Sequence, residues 1–387
     1  MIYAFFIFSL YICSFLETGK NVPVSAYGNK IVHMYLFAFF VILAGCRYKT
    51  GYDWNAYMSF FERINDGNSF GRMEVGYAAL NYAFKNIFNS YDLMQFAICL
   101  SCTAFLFFFL KKYSPFPVVS LLVYASDMFF SYNLGLTRQF IAISILLLCA
   151  DAVIEGKKMK ASLCICAAFL FHKSAIIAVL FFLCDKVHLK KITMVILVLA
   201  SMLLNLFGYR LVWQIVYSLF SLPFLPSFIG KYAGYMTNII FSQQGEFNSG
   251  MGYLLRIFLV LLVMVFRKNN SRCANFIFNA VLTGLFIQAF GRNIQIISRL
   301  AAYFSVFETV FFAYLYEVMR KKARPASYPV FAMFLTCYFL IAPYNRTQGV
   351  MEQDGKSRWA LYSPWISSFY KTEISDRNNR MRIINGF

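Results

Sequence analysis

Residues 116–154 read FPVVSLLVYASDMFFSYNLGLTRQFIAISILLLCADAVI, two apolar runs (116–134 and 137–154) joined by a turn that carries Asn133, Gly135, Thr137, Arg138 and Gln139. Each run approaches the roughly 20 residues that a helix needs to cross a hydrocarbon layer about 30 Å thick. The runs are continuously apolar rather than alternating, so in lipid they satisfy their backbone groups as helices and not as barrel strands. With so short a turn between them they form an antiparallel hairpin of membrane helices, and the polar turn lies at one face of the bilayer. Similar runs stand at 1–16, 31–46, 91–110, 253–266, 273–290, 300–319 and 328–343, with further apolar stretches at 161–184 and 192–208. The 387-residue chain is 60% hydrophobic and 14% charged, with 46 Phe and 26 Tyr. That composition excludes a soluble enzyme of this size. We expect an all-α, polytopic integral membrane protein with about 10–12 transmembrane helices and external amphipathic helices. Any site must then be built from helix ends and the few long loops.

The first sixteen residues lack a basic leader and a small-residue cleavage site, so they read as a retained span rather than a signal peptide. Lys plus Arg is 36 against 17 Asp plus Glu, a formal charge of +19. No nucleic-acid motif accompanies this excess, and in a multi-span chain it reports topology, because basic short loops resist translocation. Loops 17–30, 111–115, 155–160, 185–191, 267–272 and 320–324 hold 17 of the 36 basic residues. Placing them in the cytoplasm puts both termini and the loops 47–90 and 209–252 outside, in the periplasm of a Gram-negative cell. The run 161–184 fits this count as a re-entrant pair turning at Phe171-His172-Lys173-Ser174, the arrangement we favour. A single crossing combined with another span at 211–229 serves equally for the later loops. We expect one membrane domain over 1–343 and a polar, periplasmic tail over 344–387. The ten cysteines lie in or beside apolar runs without spaced partners, so neither a disulfide framework nor a metal site is expected.

Several side chains stand where chemistry is plausible, each with a plainer alternative. Arg47 opens the first external loop and either anchors at the interface or grips a phosphate. Asp53 precedes a helical pattern (Trp54, Tyr57, Met58, Phe61, Ile64) and is either its N-cap or a base facing a cleft. A second amphipathic pattern follows Glu74, with Tyr77, Leu80, Phe84 and Phe88 on one face. Tyr124, Asp127 and Ser131 share a face if their span is α-helical. Asp127 must then point inward, where pairing with a cation is the commoner role. Arg138 stands at an external helix start, where free N–H groups favour anions and a guanidinium can hold a phosphate with two bonds; snorkelling is its plainer reading. His172 interrupts an apolar run and is either a packing residue or, in a re-entrant turn, a neutral imidazole able to take a proton. Arg292, Gln295, Arg299 and Tyr303 form one polar helix face, which suits an anion-holding cavity. Glu308, deeper in the same run, reads as half of an ion pair.

Taken in order, Arg47 with Gly51-x-Asp53 and Tyr57, Glu74-Val-Gly-Tyr77, Asn133 to Arg138-Gln139-x-Ile-Ala142, Phe171-His172-Lys-Ser-Ala175 and Arg299-Leu-x-x-Tyr303-Phe resemble the EpsG/Wzy group of O-antigen and exopolysaccharide polymerases. The resemblance covers about residues 47 to 304. It implies a GT-C-like, multi-pass enzyme of the bacterial inner membrane with its active site facing the periplasm. Such an enzyme transfers a growing glycan from undecaprenyl diphosphate onto a lipid-linked repeat unit, without cofactor or metal. On that reading Arg138 and Arg299 hold the diphosphate, Arg47 and Arg292 support them, and Asp53 or His172 takes the acceptor's proton. Gln139 and Glu74 belong to the substrate pocket, and Tyr57, Trp54 and Tyr303 offer aromatic faces to sugars. The partners implied are the lipid-linked oligosaccharide, membrane lipids, a chain-length regulator and the flippase of the same pathway. A flippase of lipid-linked oligosaccharide and an O-antigen ligase are the competing readings.

Overall fold

A computed structural model of the chain describes residues 2–18, 26–51, 53–65, 73–208, 218, 251–266, 271–290, 295–322 and 367–369. Among these the secondary structure is helical, and β pairing is confined to an isolated bridge between Arg47 and Ser367. The expected spans at 211–229 and 328–343 and most of the tail fall outside the described residues. The chain divides into two compact units, residues 1–179 with 319–387, and residues 180–318.

The first unit contains α1 (Ile2–Thr18), α2 (Ala26–Gly45), α3 (Trp54–Glu62), α4 (Val75–Ile87), α5 (Tyr91–Tyr113), α6 (Pro117–Tyr124), α7 (Thr137–Ile154) and α8 (Lys158–Phe171). Tyr91–Tyr113, Thr137–Ile154 and, in the second unit, Arg272–Phe290 are long and apolar enough to cross a membrane. Ile2–Thr18 and Lys30–Gly45 are shorter apolar helices. The ends of these helices are chemically marked. Ser90 caps α5 by accepting from the Leu93 N–H at 3.2 Å. Asp92 in its first turn and Lys111 and Lys112 in its last complement the helix dipole. Pro117 opens α6, where a missing N–H costs nothing. The next two N–H groups, of Val118 and Val119, donate to the Glu17 carboxylate at the end of α1, at 2.9–3.1 Å. One carboxylate therefore pins α1 to α6 and satisfies a helix end that apolar neighbours cannot.

Beyond Tyr124 the helix continues as a π segment, Ala125–Asn133. The run is therefore not α-helical throughout, contrary to what its sequence leads one to expect. The Leu134 N–H bonds to Phe129 O and the Leu136 N–H to Ser131 O, five residues back. This wider winding changes which side chains align: Tyr124 donates to Asn133 Oδ1 at 2.5 Å, nine residues on. π segments concentrate at functional sites, and this one delivers the chain into the turn before α7.

Packing in the first unit is aromatic. Phe6, Phe40 and Phe129 meet with ring centroids 4.9–5.3 Å apart. Between helices in lipid the hydrophobic effect offers little, and such contacts, each worth roughly 0.5–1.5 kcal/mol, together with close backbone approach, hold the bundle. Nearly every position of α7 is buried, as expected of a helix apolar on all sides and surrounded by others.

The second unit contains α9 (Leu180–Lys186), α10 (Lys191–Leu203), α11 (Met251–Phe266), α12 (Arg272–Phe290), α13 (Gln295–Ser305) and the start of α14 (Glu308–Lys322). Phe181 is its hub, edge-on to Phe276, Phe304 and Phe307 at 5.3–5.6 Å. Asn279 donates to Cys184 O and Val187 O at 2.7–2.8 Å, capping the carbonyl end of α9 from a neighbouring helix. A Cβ on Gly284 would lie 2.9 Å from that of Phe304, so α12 and α13 touch there almost backbone to backbone.

Candidate active site

The loop after α2 begins with Arg47, whose side chain is 1% exposed. Its guanidinium donates to Ala44 O, to Thr50 O at 3.3 Å and to Thr137 Oγ1 at 3.4 Å. Gln95 of α5 donates to the carbonyls of Gly45 and Arg47 at 3.0 and 2.8 Å. Arg47 thus ties the end of α2 to the first residue of α7, from inside the protein. Gly51 has φ +98°, and a Cβ there would stand 1.7 Å from Leu134 O. A side chain at 51 would collide with the turn that launches α7, so this glycine lets the loop after α2 lie flat on that turn. The tail joins the same place, with the Ser368 N–H donating to Cys46 O at 2.8 Å.

Arg138 follows as the second residue of α7, whose N-cap, Leu136, supplies no side-chain cap. Its Nη1 donates to Glu74 Oε2 at 2.5 Å, and its guanidinium carbon lies 5.7 Å from the centre of the Tyr57 ring. Glu74 is the N-cap residue of α4, yet its carboxylate makes no capping bond. It is turned outward from its own helix, and its other oxygen, Oε1, lies 3.1 Å from His172 Nδ1. The reason the two helices come this close is Gly76: a Cβ there would meet Leu170 O at 2.9 Å, so α4 rests directly on the last turn of α8. α8 ends at Phe171, His172 is extended, and a 3₁₀ turn runs from Lys173 to Val179. The helix therefore breaks at the residues where the sequence placed its turn.

Arg138, Glu74 and His172 thus form one line of contact drawn from three separate segments. Burial alone would raise the Glu74 carboxyl, but the His172 hydrogen bond and the Arg138 charge outweigh it and hold the group at about 2. Glu74 is therefore anionic at neutral pH, so Nδ1 of His172 is the donor in their contact. Burial pushes the Tyr57 phenol up to about 12, helped by Asp53 and opposed by Arg138. Tyr57 is a neutral aromatic face against the guanidinium and a donor to Asp53 Oδ2 at 3.4 Å. Asp53 does occupy the N-cap position of α3, but the capping bond expected of it is not formed. Gln139 is buried beside Arg138 in α7.

Of the remaining sequence candidates, Arg299 and Tyr303 lie on α13 in the second unit, Arg299 half-buried and Tyr303 fully buried. Arg292 lies outside the described residues. Asp127 is half-buried in the π segment. Glu308 is indeed half of an ion pair: it accepts from Nε and Nη2 of Arg256, at 2.8 Å for the former, while Arg256 Nη1 donates to Gln288 Oε1 at 2.6 Å. Sequence reasoning passed over Arg256, which has the look of any residue near a span's start. Gly76 enters the sequence reading only inside the motif Glu74-Val-Gly-Tyr77, and its own signal, a glycine inside the first turn of an amphipathic helix, marks a close approach. Among the described residues no three His, Cys, Asp or Glu side chains gather as metal ligands would.

The residues that the first unit assembles, Arg47, Gly51, Tyr57, Glu74, Arg138 and His172, are those of the ordered motifs, and the EpsG family model matches residues 30–353, most of the chain. The chain belongs to the EpsG family. It is accordingly a membrane protein of the polysaccharide-polymerase type, with a glycosyltransferase-like role. No curated protein and no solved structure was found to match it. Chemically, the EpsG constellation offers a fixed cation at the uncapped start of a membrane helix and, one carboxylate away, an oriented imidazole.

Proposed function

We propose that this EpsG protein is a surface-polysaccharide (O-antigen) polymerase, which transfers a growing glycan from undecaprenyl diphosphate onto the end sugar of a lipid-linked repeat unit at the periplasmic face. The observation that carries the reading is the Arg138–Glu74–His172 contact at the start of α7. In the transfer the acceptor hydroxyl oxygen attacks the anomeric carbon of the donor glycan and a new C–O bond forms. The bond from that carbon to the diphosphate oxygen breaks with its electron pair, and the hydroxyl proton passes to a base. Departure of a diphosphate is limited by the charge that it gathers, so a preorganised guanidinium supplies the main stabilisation. Arg138 takes that role.

Of the two candidate bases, geometry supports His172. A carboxylate on Nδ1 orients the ring and stabilises the imidazolium formed when Nε2 takes a proton, the logic of an oriented general base. Asp53 is engaged by Tyr57 instead. Arg47, buried among carbonyls, positions the start of α7. Deleting the gene and resolving the surface glycan on a gel tests the proposal: loss of polymerase leaves acceptor bearing one repeat unit. Complete absence of repeat units identifies a flippase or ligase instead, and an unchanged ladder rejects all three.

A further inference from the structure

We infer that Glu74 is a displaceable stand-in for the substrate's diphosphate: binding of the lipid diphosphate takes Arg138 from Glu74 and leaves the carboxylate to His172 alone, so that donor binding arms the base. The inference rests on the reading of Arg138 as the diphosphate's cation and adds a regulation of that site.

Three observations support it. Glu74 divides its two oxygens between two partners, Oε2 to Arg138 and Oε1 to His172, so one bond can be given up while the other is kept. It does so at an N-cap position without capping α4, so the start of that helix does not depend on where the carboxylate points. Arg138 is not saturated by this contact, because its Nε–H is buried without a hydrogen-bond partner. A buried donor left unpaired is costly, and a second acceptor at the guanidinium recovers that cost. A diphosphate diester brings two charges and several acceptor oxygens to the place where Glu74 offers one charge and one oxygen, so it is the stronger ligand for the same fork. Once Arg138 has moved to the diphosphate, its positive charge no longer offsets the carboxylate. The full negative charge of Glu74 then falls on the imidazole, favouring proton uptake at Nε2 only when a donor is in place. Glu74 is thus a positioning residue that touches neither reacting atom.

The test uses the full-length protein in lipid nanodiscs, with undecaprenyl diphosphate and, separately, inorganic diphosphate as binding probes, and chain extension on lipid-linked repeats as the activity. Removing the competing carboxylate should tighten binding while slowing turnover. We expect Glu74→Gln to bind undecaprenyl diphosphate about tenfold more tightly than wild type and to extend chains at least about 100-fold more slowly, the usual worth of a general base. Glu74→Asp, whose shorter arm loosens the contact with Arg138 but keeps the charge, should fall between them on both measures. It keeps the test decisive if the Gln variant fails to accumulate. Inorganic diphosphate should give the same order of affinities. Affinity and turnover falling together, or affinity unchanged in both variants, would overturn the exchange and leave Glu74 a structural support. An order seen with the lipid but not with inorganic diphosphate overturns it equally. Absence of chain extension by wild type rejects the polymerase reading instead, and the order of diphosphate affinities still decides this one.

Discussion

At the residue scale the site depends on charges held in unusual company. Arg138→Ala should abolish chain extension while the protein reaches normal abundance in the membrane, as read by immunoblot beside the glycan gel. Its contacts are with Glu74 and the Tyr57 face rather than with the helical core. Activity near wild type would remove Arg138 from the diphosphate. The same pair sets an acid limit on stability. The Glu74 carboxyl is depressed from 4.5 to about 2, so its contribution is fully present above about pH 4.5 and is lost as pH falls through about 2. Thermal melts in detergent between pH 7 and pH 3 should therefore decline more steeply for wild type than for Glu74→Gln. Equal slopes would show that the carboxylate is not held down. Arg138 and His172 were legible as candidates from the sequence, because a charge or imidazole inside an apolar run must be explained. Their joint partner was not, since Glu74 lies 64 residues before Arg138 and 98 before His172. Nothing local distinguishes a carboxylate that caps its own helix from one turned toward another. Arg47 illustrates the reverse: its place at the membrane edge suggested an exposed cation, and only packing shows it closed in among carbonyls.

At the element scale one close approach and one buried pair do the organising. Gly76 lets α4 rest on the end of α8, and this contact brings Glu74 to His172. Gly76→Val should displace α4 and lower chain extension, with less effect from Gly76→Ala, whose lone methyl meets Leu170 at 2.9–3.0 Å. Equal activity in wild type and the Val variant, at equal abundance, would show that the approach does not matter. In the second unit Arg256 and Glu308 are 11% and 4% exposed. Breaking such a buried pair from one side costs about 3–5 kcal/mol, whereas replacing both with apolar residues of similar volume is often neutral. Glu308→Leu alone should lower the yield of folded protein, measured by size exclusion in detergent, and Arg256→Met added to it should restore the yield. Failure of the double variant to recover would assign the pair a role beyond holding α11 to α14. Helix positions were readable from apolar run lengths. The π winding of residues 125–133 was not, because it follows from how the turn before α7 must be delivered rather than from composition.

At the scale of the molecule, the first unit has two polar ends. At one lie Arg47, Glu74, Arg138 and His172. At the other Lys112 of α5 bonds Asp151 of α7 at 2.6 Å and also pairs with Glu155, while Tyr113 donates to Asp151 at 2.8 Å and Lys157 pairs with Glu155 at 2.7 Å. The 18 residues of α7 join the two ends. At 1.5 Å per residue it is about 27 Å long, close to the thickness of a hydrocarbon core. The lysine-rich end coincides with loops 111–115 and 155–160, which the charge count leads one to expect in the cytoplasm, and the proposed function requires the candidate site to face the other side. Alkaline phosphatase fused in frame tests this directly, because it is active only where its disulfides can form. Fusions ending at Asn89 should be active and fusions ending at Lys158 inactive. The reverse pattern would place Arg138 and His172 on the cytoplasmic face. A lipid-linked unit meets such a site before it has been flipped, and the periplasmic polymerase reading would have to be abandoned.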